Sequence, residues 1–288
     1  MKVLQPVPVR VLASRIIPSV DPGLAAAFKL EPRHRALALF TSDSDDVSYI
    51  AIDEATKKAA VDVVYASSFY GGAAHASGPY SGEFIGILAA ETPGDVEEGL
   101  RIAVDYAQNR VSFLTADPEG KLIFLSHLVS SCGTYVAEQA GIPVGTALAW
   151  LIAPPLEATF GLDAALKAAD VRLVKHFPPP SETNFSGGWL AGDQAACQAA
   201  CQAFTEAVLG VVLEQAVCPG RALAGQTVAG VRGRCGRAAP DGGTAGGVGN
   251  IHTLAVQLGN QAGVAGLGAA RAAAGELKQR LVELRTLD

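Results

Sequence analysis

The densest polar cluster in the sequence is the acidic stretch 43–46, Asp-Ser-Asp-Asp. Its adjacent Asp45 and Asp46, joined by a third carboxylate at Glu83, would stabilise an ammonium group. An aromatic ring from Phe113 or Phe185 would then cover the apolar side of that cation. Most such acidic runs are instead solvated turns that end a strand. The residues alone leave both interpretations open.

A second polar stretch follows three consecutive prolines at 178–180. Because proline cannot join a central strand, residues 181–185 are expected to form a loop. Within it, Glu182, Thr183 and Asn184 supply hydrogen-bond donors and acceptors at a subunit edge or a pore. The alternative is a loop with a purely structural role.

Signatures of catalysis are scarce. The five histidines are scattered, and no Gly-rich segment has the spacing of a phosphate loop. Cys197 and Cys201 lie four residues apart and could share a metal, but their Ala and Phe neighbours favour buried small residues. We therefore predict a protein that is not an enzyme and needs no metal. The alternative is a hydrolase or a lyase, which would require Asp45, Asp46 and Glu83 to hold a metal ion.

Composition narrows the partners and the compartment. Five cysteines without a CxxC pair, and no recognisable export signal, predict a reducing cytoplasmic environment. No unbroken apolar run reaches the roughly 18–20 residues of a membrane span, so no membrane is expected. The net charge of −6 argues against nucleic acid as a partner.

The periodicity of apolar residues predicts mixed strands and helices, which favours an α/β or α+β sandwich. Expected strands cover residues 36–40, 47–52, 61–65, 83–89, 171–177 and 186–190, and apolar runs at 125–136 and 147–153 precede a Pro-Pro turn. Expected helices cover 54–60, capped by Asp53, then 93–107, 156–169 and 194–213, the last capped by Asp193.

Two short landmarks recur in the same order. Glu-Ala-Thr at 54–56 returns at 157–159, and Ser-Gly at 81–82 returns at 186–187. An offset of about 100 residues is too long for a solenoid and suits two tandem domains. We predict a first domain over 1–112, a second over 113–218, and an extension over 219–288 rich in Gly, Ala and Arg. The extension is expected to be low-complexity and disordered, with a short helix at 269–287.

Several stretches resemble one family, the ethanolamine-utilisation microcompartment shell proteins of the L type. The resemblance runs in one register from about residue 10 to Leu209. It is carried by residues 41–50, 53–57, 72–75, 153–159, 163–170, 178–184, 194–197 and 203–205.

The resemblance implies two tandem, circularly permuted bacterial microcompartment domains of ferredoxin-like type. It implies a homotrimer, a pseudohexamer of six domains, that tiles with other shell proteins into the shell of a cytoplasmic microcompartment. That shell encloses ethanolamine ammonia-lyase and its pathway enzymes. Each subunit would carry a small pore, and a larger central opening would be gated by the loops at 67–82 and before Ser186.

The resemblance also assigns a ligand. Ethanolamine is implied in the small pores, at Asp45, Asp46, Glu83, Phe113, Thr183, Asn184 and Phe185. Some relatives bind cobalamin in the central region, and no residue of this sequence is assigned to that binding. The alternative function is a sensor or regulatory protein that binds ethanolamine or cobalamin in the same pathway.

The extension over 219–288 has no counterpart in the family pattern. Three interpretations stay open: a disordered basic tail, a linker with an amphipathic helix that docks on shell or cargo, and a reading-frame accident in a GC-rich gene.

Overall fold

The computed structural model describes residues 3–69, 80–179 and 184–217, with side chains as far as Val212. The first half of the described chain contains these elements in order: β1 (Pro6–Val7), β2 (Val11–Ile17), α1 (Pro22–Ala27), β3 (Ala36–Ser42), α2 (Asp45–Lys58), β4 (Asp62–Ser68), β5 (Phe84–Ala90) and α3 (Pro93–Asn109). The second half contains β6 (Phe113–Thr115), β7 (Ile123–Val129), α4 (Thr134–Ala140), β8 (Ala147–Ala153), α5 (Pro155–Ala168), β9 (Arg172–Phe177), β10 (Ser186–Gly192) and α6 (Gln194–Val217).

The strands form two antiparallel sheets with the same internal topology. One sheet has the order β2-β3-β5-β4, and the other has the order β1-β6-β7-β8-β10-β9. Its last four strands repeat the order of the first sheet. The helices follow the same plan, because α2 and α3 occupy the chain positions that α5 and α6 occupy later. The predicted mixed α/β fold with an internal duplication is confirmed.

The landmarks that suggested the duplication are not equivalent positions. Glu54 lies late in α2, whereas Glu157 lies in the first turn of α5. The strand register shows the true correspondence: Phe84 pairs with Ser42 at the end of β3, and Ser186 pairs with Ala153 at the end of β8. The two Ser-Gly pairs are therefore offset from each other, and the repeat lies in the topology rather than in these short motifs.

Helix α2 replaces the predicted strand at 47–52, which is wrong, and contains most of the predicted helix at 54–60, which begins earlier than expected. Val47 and Ile50 pack into the core beneath the six-stranded sheet. Ile52 and Ala55 pack on the opposite side, into the core of the four-stranded sheet. A helix buried on both sides loses the one-sided periodicity that identifies a surface helix. The run therefore resembles a buried strand in sequence.

The sequence predicts that Asp53 caps the helix that follows it, and this is wrong. Asp53 lies within α2 and caps α4 instead. Its Oδ2 accepts a hydrogen bond from the backbone N–H of Gly133 at 2.7 Å, and its Oδ1 accepts one from Val136 at 2.8 Å. These N–H groups belong to the first turn of a helix and have no partner within it. Asp53 thus joins the two halves through a buried carboxylate.

Other elements agree with the sequence. The predicted strands that correspond to β3, β4, β5, β9 and β10 are present, as are helices α3, α5 and α6. Asp193 caps α6, accepting from the N–H of Ala196 at 2.7 Å.

Helix α6 is long and largely apolar, although polar residues interrupt it, as the sequence indicates. Its segment Gln194–Val212 is long and apolar enough, by length and composition, to cross a membrane. Cys197, Cys201 and Phe204 on this helix are nevertheless buried. Ser126 of β7 donates its hydroxyl to the carbonyl of Cys201 at 2.9 Å. These contacts are typical of a helix that covers a sheet in a protein core.

The chain divides into two compact units, Met1–Val208 and Leu209–Asp288. Both sheets belong to the first unit, and β1 from the N-terminus completes the edge of the six-stranded sheet beside β6. The described part of the second unit is the end of α6. The predicted boundaries at 112/113 and 218/219 stay predictions, and the interpretations of 219–288 and of the loop at 70–79 lie outside the described residues.

Candidate functional site

Asp45 and Asp46 occupy the first turn of α2 rather than the loop expected from the sequence. The unpaired N–H groups at a helix N-terminus favour negative charge. Asp45 uses one oxygen locally, since its Oδ1 accepts from the N–H of Asp46 at 2.8 Å. The helix therefore holds two adjacent carboxyl groups at the junction between the sheets.

The carboxyl group of Asp46 is enclosed by protein. Its Oδ1 accepts a hydrogen bond from the indole Nε1 of Trp150 at 2.8 Å. Burial, and next the charge of Asp45, hold the pKa of Asp46 well above its usual range, although the Trp150 bond acts in the opposite direction. A nearby cation would reverse this effect by stabilising the ionised form.

A small chamber of about 150 Å³ brings together four of the predicted site residues: Asp45, Glu83, Phe113 and Phe185. The rings of Phe113 and Phe185 meet edge to face, with 5.6 Å between centroids. Carboxylates on one side and aromatic rings on the other are the two elements that recognise an ammonium group.

Glu83 is positioned by the backbone. Its N–H donates to the carbonyl of Ser42 at 2.8 Å, and its carbonyl accepts from the N–H of Phe69 at 3.1 Å. Burial, and next the charges of Asp45 and Asp43, raise the pKa of Glu83. Asp43 also lines the chamber, but Arg10 holds it through a Nε–Oδ2 ion pair at 2.8 Å.

A larger cleft of about 640 Å³ adjoins the chamber, because Asp45 and Phe185 line both. Asp46 also lines this cleft. Its remaining walls combine aromatic rings with one lysine and one further carboxylate: Tyr49, Tyr65, Tyr135, Trp150, Phe177, Trp189, Lys175 and Glu138. The chamber and the cleft together form a continuous lining of carboxylates and aromatic rings.

The structure brings five of the seven predicted ligand residues together. Asp45, Asp46, Glu83, Phe113 and Phe185 share the two connected cavities. Asn184 is exposed, with a left-handed φ of 62°. Thr183 lies outside the described residues.

Sequence reasoning missed Trp150, Trp189 and Lys175. Trp150 and Trp189 are register partners on β8 and β10, and Lys175 on β9 pairs with Trp189. The one signal available in the sequence was that the chain has two tryptophans, Trp150 and Trp189.

Within the described residues, no group of three or more His, Cys, Asp or Glu side chains is placed to hold a metal. Cys197 and Cys201 are buried free thiols, and burial raises the pKa of Cys201 to about 12. A thiol with so high a pKa stays protonated at neutral pH and is a poor metal ligand.

Comparison with known proteins gives a consistent result, although no family model matches the sequence. The chain is 51% identical over 201 residues to the bacterial microcompartment shell protein EutL of Clostridium perfringens, covering 70% of this chain and 93% of that protein. It is also 51% identical to EutL of Salmonella typhimurium, covering 70% and 92%. The crystal structure of the ethanolamine utilization protein EutL from Leptotrichia buccalis superposes with a TM-score of 0.71 at 53% identity, covering 74% of this chain and 97% of that one.

Proposed function

Because this chain belongs to the EutL family of bacterial microcompartment shell proteins, we propose that it tiles the shell of an ethanolamine-utilising microcompartment and passes ammonium solutes through its own subunit. Its place is in the shell of a cytoplasmic microcompartment. The family match covers nearly the whole length of the relatives and about seven tenths of this chain.

The observation that carries the pore proposal is the chamber shared by Asp45, Glu83, Phe113 and Phe185. The carboxylates of Asp45 and Glu83 bind the ammonium group of ethanolamine, and the two rings contact its apolar side. Asp46 adds a third carboxyl group from the adjoining cleft. Asn184 and Thr183 stay in this proposal as ligand residues predicted by the resemblance.

The electrostatics support a cation as the ligand. The raised pKa of Glu83 reflects burial and then the carboxylates around it. An ammonium ion between these groups relieves their repulsion and favours their ionised forms. Binding at a pore must also be weak enough for release, so a millimolar dissociation constant is expected. Binding far tighter than this would favour a sensor of ethanolamine instead.

The assembly proposal rests on the duplicated topology. Three chains with two related halves each give a pseudohexamer of six similar units, which closes by symmetry and tiles in a plane. Other shell proteins and the enclosed ethanolamine ammonia-lyase enzymes are the proposed partners. We propose no catalytic turnover and no required cofactor. Cobalamin binding in the central region is an additional proposal drawn from the family resemblance.

Light scattering coupled to size-exclusion chromatography tests the assembly. One chain has a mass of 29.5 kDa. A particle of three chains at micromolar concentration is expected, and a monomer would contradict the assembly proposal.

Calorimetric titration with ethanolamine tests the pore. The double variant Asp45→Asn, Glu83→Gln is expected to weaken binding at least tenfold, because it removes two charges and keeps the size of both side chains. The matched control is Glu98→Gln, Asp105→Asn, which removes two exposed charges from α3. Equal binding by wild type and the Asp45/Glu83 variant would refute the assigned chamber.

A further inference from the structure

The two halves of the chain correspond residue by residue in their helices and strands. The register shift in β4 lies beside the pair Tyr65–Ile87, and the same shift in β9 lies beside the pair Lys175–Trp189. Helices α2 and α5 each have 14 residues, and equal intervals separate them from β4 and β9. Each residue of α2 therefore has one counterpart in α5.

One side of α2 is covered by the second half of the chain. Ile50 is buried in the core cluster that also contains Val136 of α4. Asp53 accepts a hydrogen bond from the N–H of Val136. Oγ1 of Thr56 accepts one from the N–H of Thr134. Residues three apart lie on one side of a helix, so these positions form a stripe that joins the halves.

The corresponding side of α5 is exposed. The counterparts of Ile50, Asp53 and Thr56 are Phe160, Asp163 and Leu166. Phe160 is 56% exposed, whereas Ile50 is 2% exposed. Leu166 and, one turn before Phe160, Leu156 are exposed as well. We call Leu156, Phe160 and Leu166 the α5 stripe. A helix normally turns its apolar residues toward a core, so this stripe marks an interaction surface.

A face that matches the α5 stripe lies in the first half. Equal intervals separate β2 from the cap of α1 and β7 from the cap of α4, which places Leu24 at the position of Val136. Leu24 is exposed, whereas Val136 is fully buried. On the neighbouring strands, Leu39 of β3 has the position of Trp150 of β8.

We propose that the α5 stripe packs against the α1 and β3 face of a second copy of this chain, head to tail. This inference rests on the proposed assembly and identifies the surface that builds it. The contact between chains then repeats the contact between halves, and Phe160, in the place of Ile50, contacts Leu24 of the next chain. Because the two contacting faces are different, the interface is heterologous and forms a ring when the rotation closes.

The two junctions differ in chemistry. Between the halves, Asp46 of α2 accepts a hydrogen bond from the indole of Trp150. Between chains, the counterparts of these two residues are Leu156 and Leu39, which are both apolar. Helix α4 takes its cap from the other half, whereas α1 is capped by its own Asp21. The junction between chains is therefore an apolar contact, and the acidic site belongs to the contact within each chain.

Light scattering coupled to size-exclusion chromatography of the full-length protein tests the α5 stripe. Phe160→Glu places a charge in an apolar contact, so the three-chain particle is expected to become monomeric at micromolar concentration. Because Phe160 is exposed in the single chain, the far-ultraviolet circular dichroism of this variant is expected to match wild type. The matched control Val144→Glu alters another exposed apolar residue, between α4 and β8, and is expected to stay trimeric.

A mixing experiment tests the head-to-tail arrangement. Leu24→Glu alters the opposite face and is also expected to give monomers. An equimolar mixture of Leu24→Glu and Phe160→Glu retains one intact pair of faces, so a particle of two chains is expected. A mixture that stays monomeric would contradict the pairing of these two faces.

The outcomes separate this inference from the assembly proposal. If wild type is trimeric and Phe160→Glu stays trimeric, something other than a second copy covers the α5 stripe, such as residues 219–288, and the inference is overturned while the assembly stands. A monomeric wild type would overturn both.

Discussion

The indole of Trp150 donates to Oδ1 of Asp46 over 2.8 Å, and this bond ties β8 of the six-stranded sheet to the first turn of α2. The two residues come from different halves of the duplicated chain. The acidic part of the candidate site is therefore assembled by contact between the halves. Neither half alone would place this carboxyl group beside the aromatic cleft.

The buried carboxyl group of Asp46 should make the free energy of unfolding fall as the pH rises. Its folded pKa is raised, first by burial and then by Asp45, above the unfolded value of about 3.9. The folded state therefore binds the proton of Asp46 more tightly than the unfolded state does. The stabilisation that this proton gives is complete below the unfolded pKa and is lost as the pH rises through the folded pKa. Asp46→Asn keeps an acceptor for Trp150 and has no such loss.

Urea unfolding at pH 4.5 and pH 7.5 measures this effect. The stability of Asp46→Asn relative to wild type should increase at the higher pH. The same difference at both values would contradict the raised pKa.

Replacing Asp53 should destabilise the protein strongly. Asp53→Ala leaves the N–H groups of Gly133 and Val136 without their acceptor in a buried site. Each unpaired donor costs about 1–3 kcal/mol, so a loss of about 2–6 kcal/mol in the free energy of unfolding is expected. Thr56→Ala, which removes a longer bond from the N–H of Thr134 and a bond from the Thr56 hydroxyl to the carbonyl of Asp53, leaves the Asp53 carboxylate in place and is the milder comparison. Similar losses from both variants in urea unfolding would refute the capping role.

Gly82 should control the position of Glu83. It has a left-handed φ of 63°, and an added Cβ would overlap the backbone carbonyl of Ser42. That carbonyl also accepts from the N–H of Glu83 at 2.8 Å. Gly82→Ala is expected to displace Glu83, weaken ethanolamine binding several-fold and lower stability by about 1–3 kcal/mol. The control is Gly141→Ala. Gly141 also has a left-handed φ of 63°, but nothing lies near an added Cβ there, so this variant tests the backbone strain alone. Unchanged binding in Gly82→Ala would contradict this prediction.

His127 should make the protein sensitive to mild acid. Burial, and next the charge of Lys57, lower the pKa of His127 to about 4, and its Nε2 has no partner among the described residues. Because the folded pKa is depressed, the unfolded state takes up the proton first as pH falls below about 6.5, and stability is lost.

His127→Phe removes the ionisable group and keeps a planar aromatic ring, which is somewhat larger. Relative to wild type, this variant should gain about 2 kcal/mol between pH 7.5 and pH 5. Urea unfolding at the two pH values checks the gain, and a pH-independent difference would show that His127 titrates normally.

The sequence predicted most of the strands and helix α3, but it misread α2 and missed α4. Strands β4 and β5 and helix α3 follow from ordinary periodicity and caps, such as the Thr92 side chain that accepts from the N–H of Asp95. Helix α2 was misread because both of its sides are buried. Helix α4 was missed because it is short and its cap, Asp53, lies far away in the sequence.

The acidic and aromatic residues of the candidate site could be named from sequence because the family resemblance assigns them together. The residues that line the larger cleft beside them could not. Lys175, Trp189 and Trp150 become neighbours through strand register, and periodicity gives no information about register between strands distant in sequence.

A crystal structure determined with ethanolamine at saturating concentration tests the central claim most directly. We predict the ammonium nitrogen within hydrogen-bond distance of the carboxylates of Asp45 and Glu83, with the carbon atoms against Phe113 and Phe185. Ethanolamine bound elsewhere in the subunit, or an empty chamber in crystals of protein that binds ethanolamine in solution, would contradict the account.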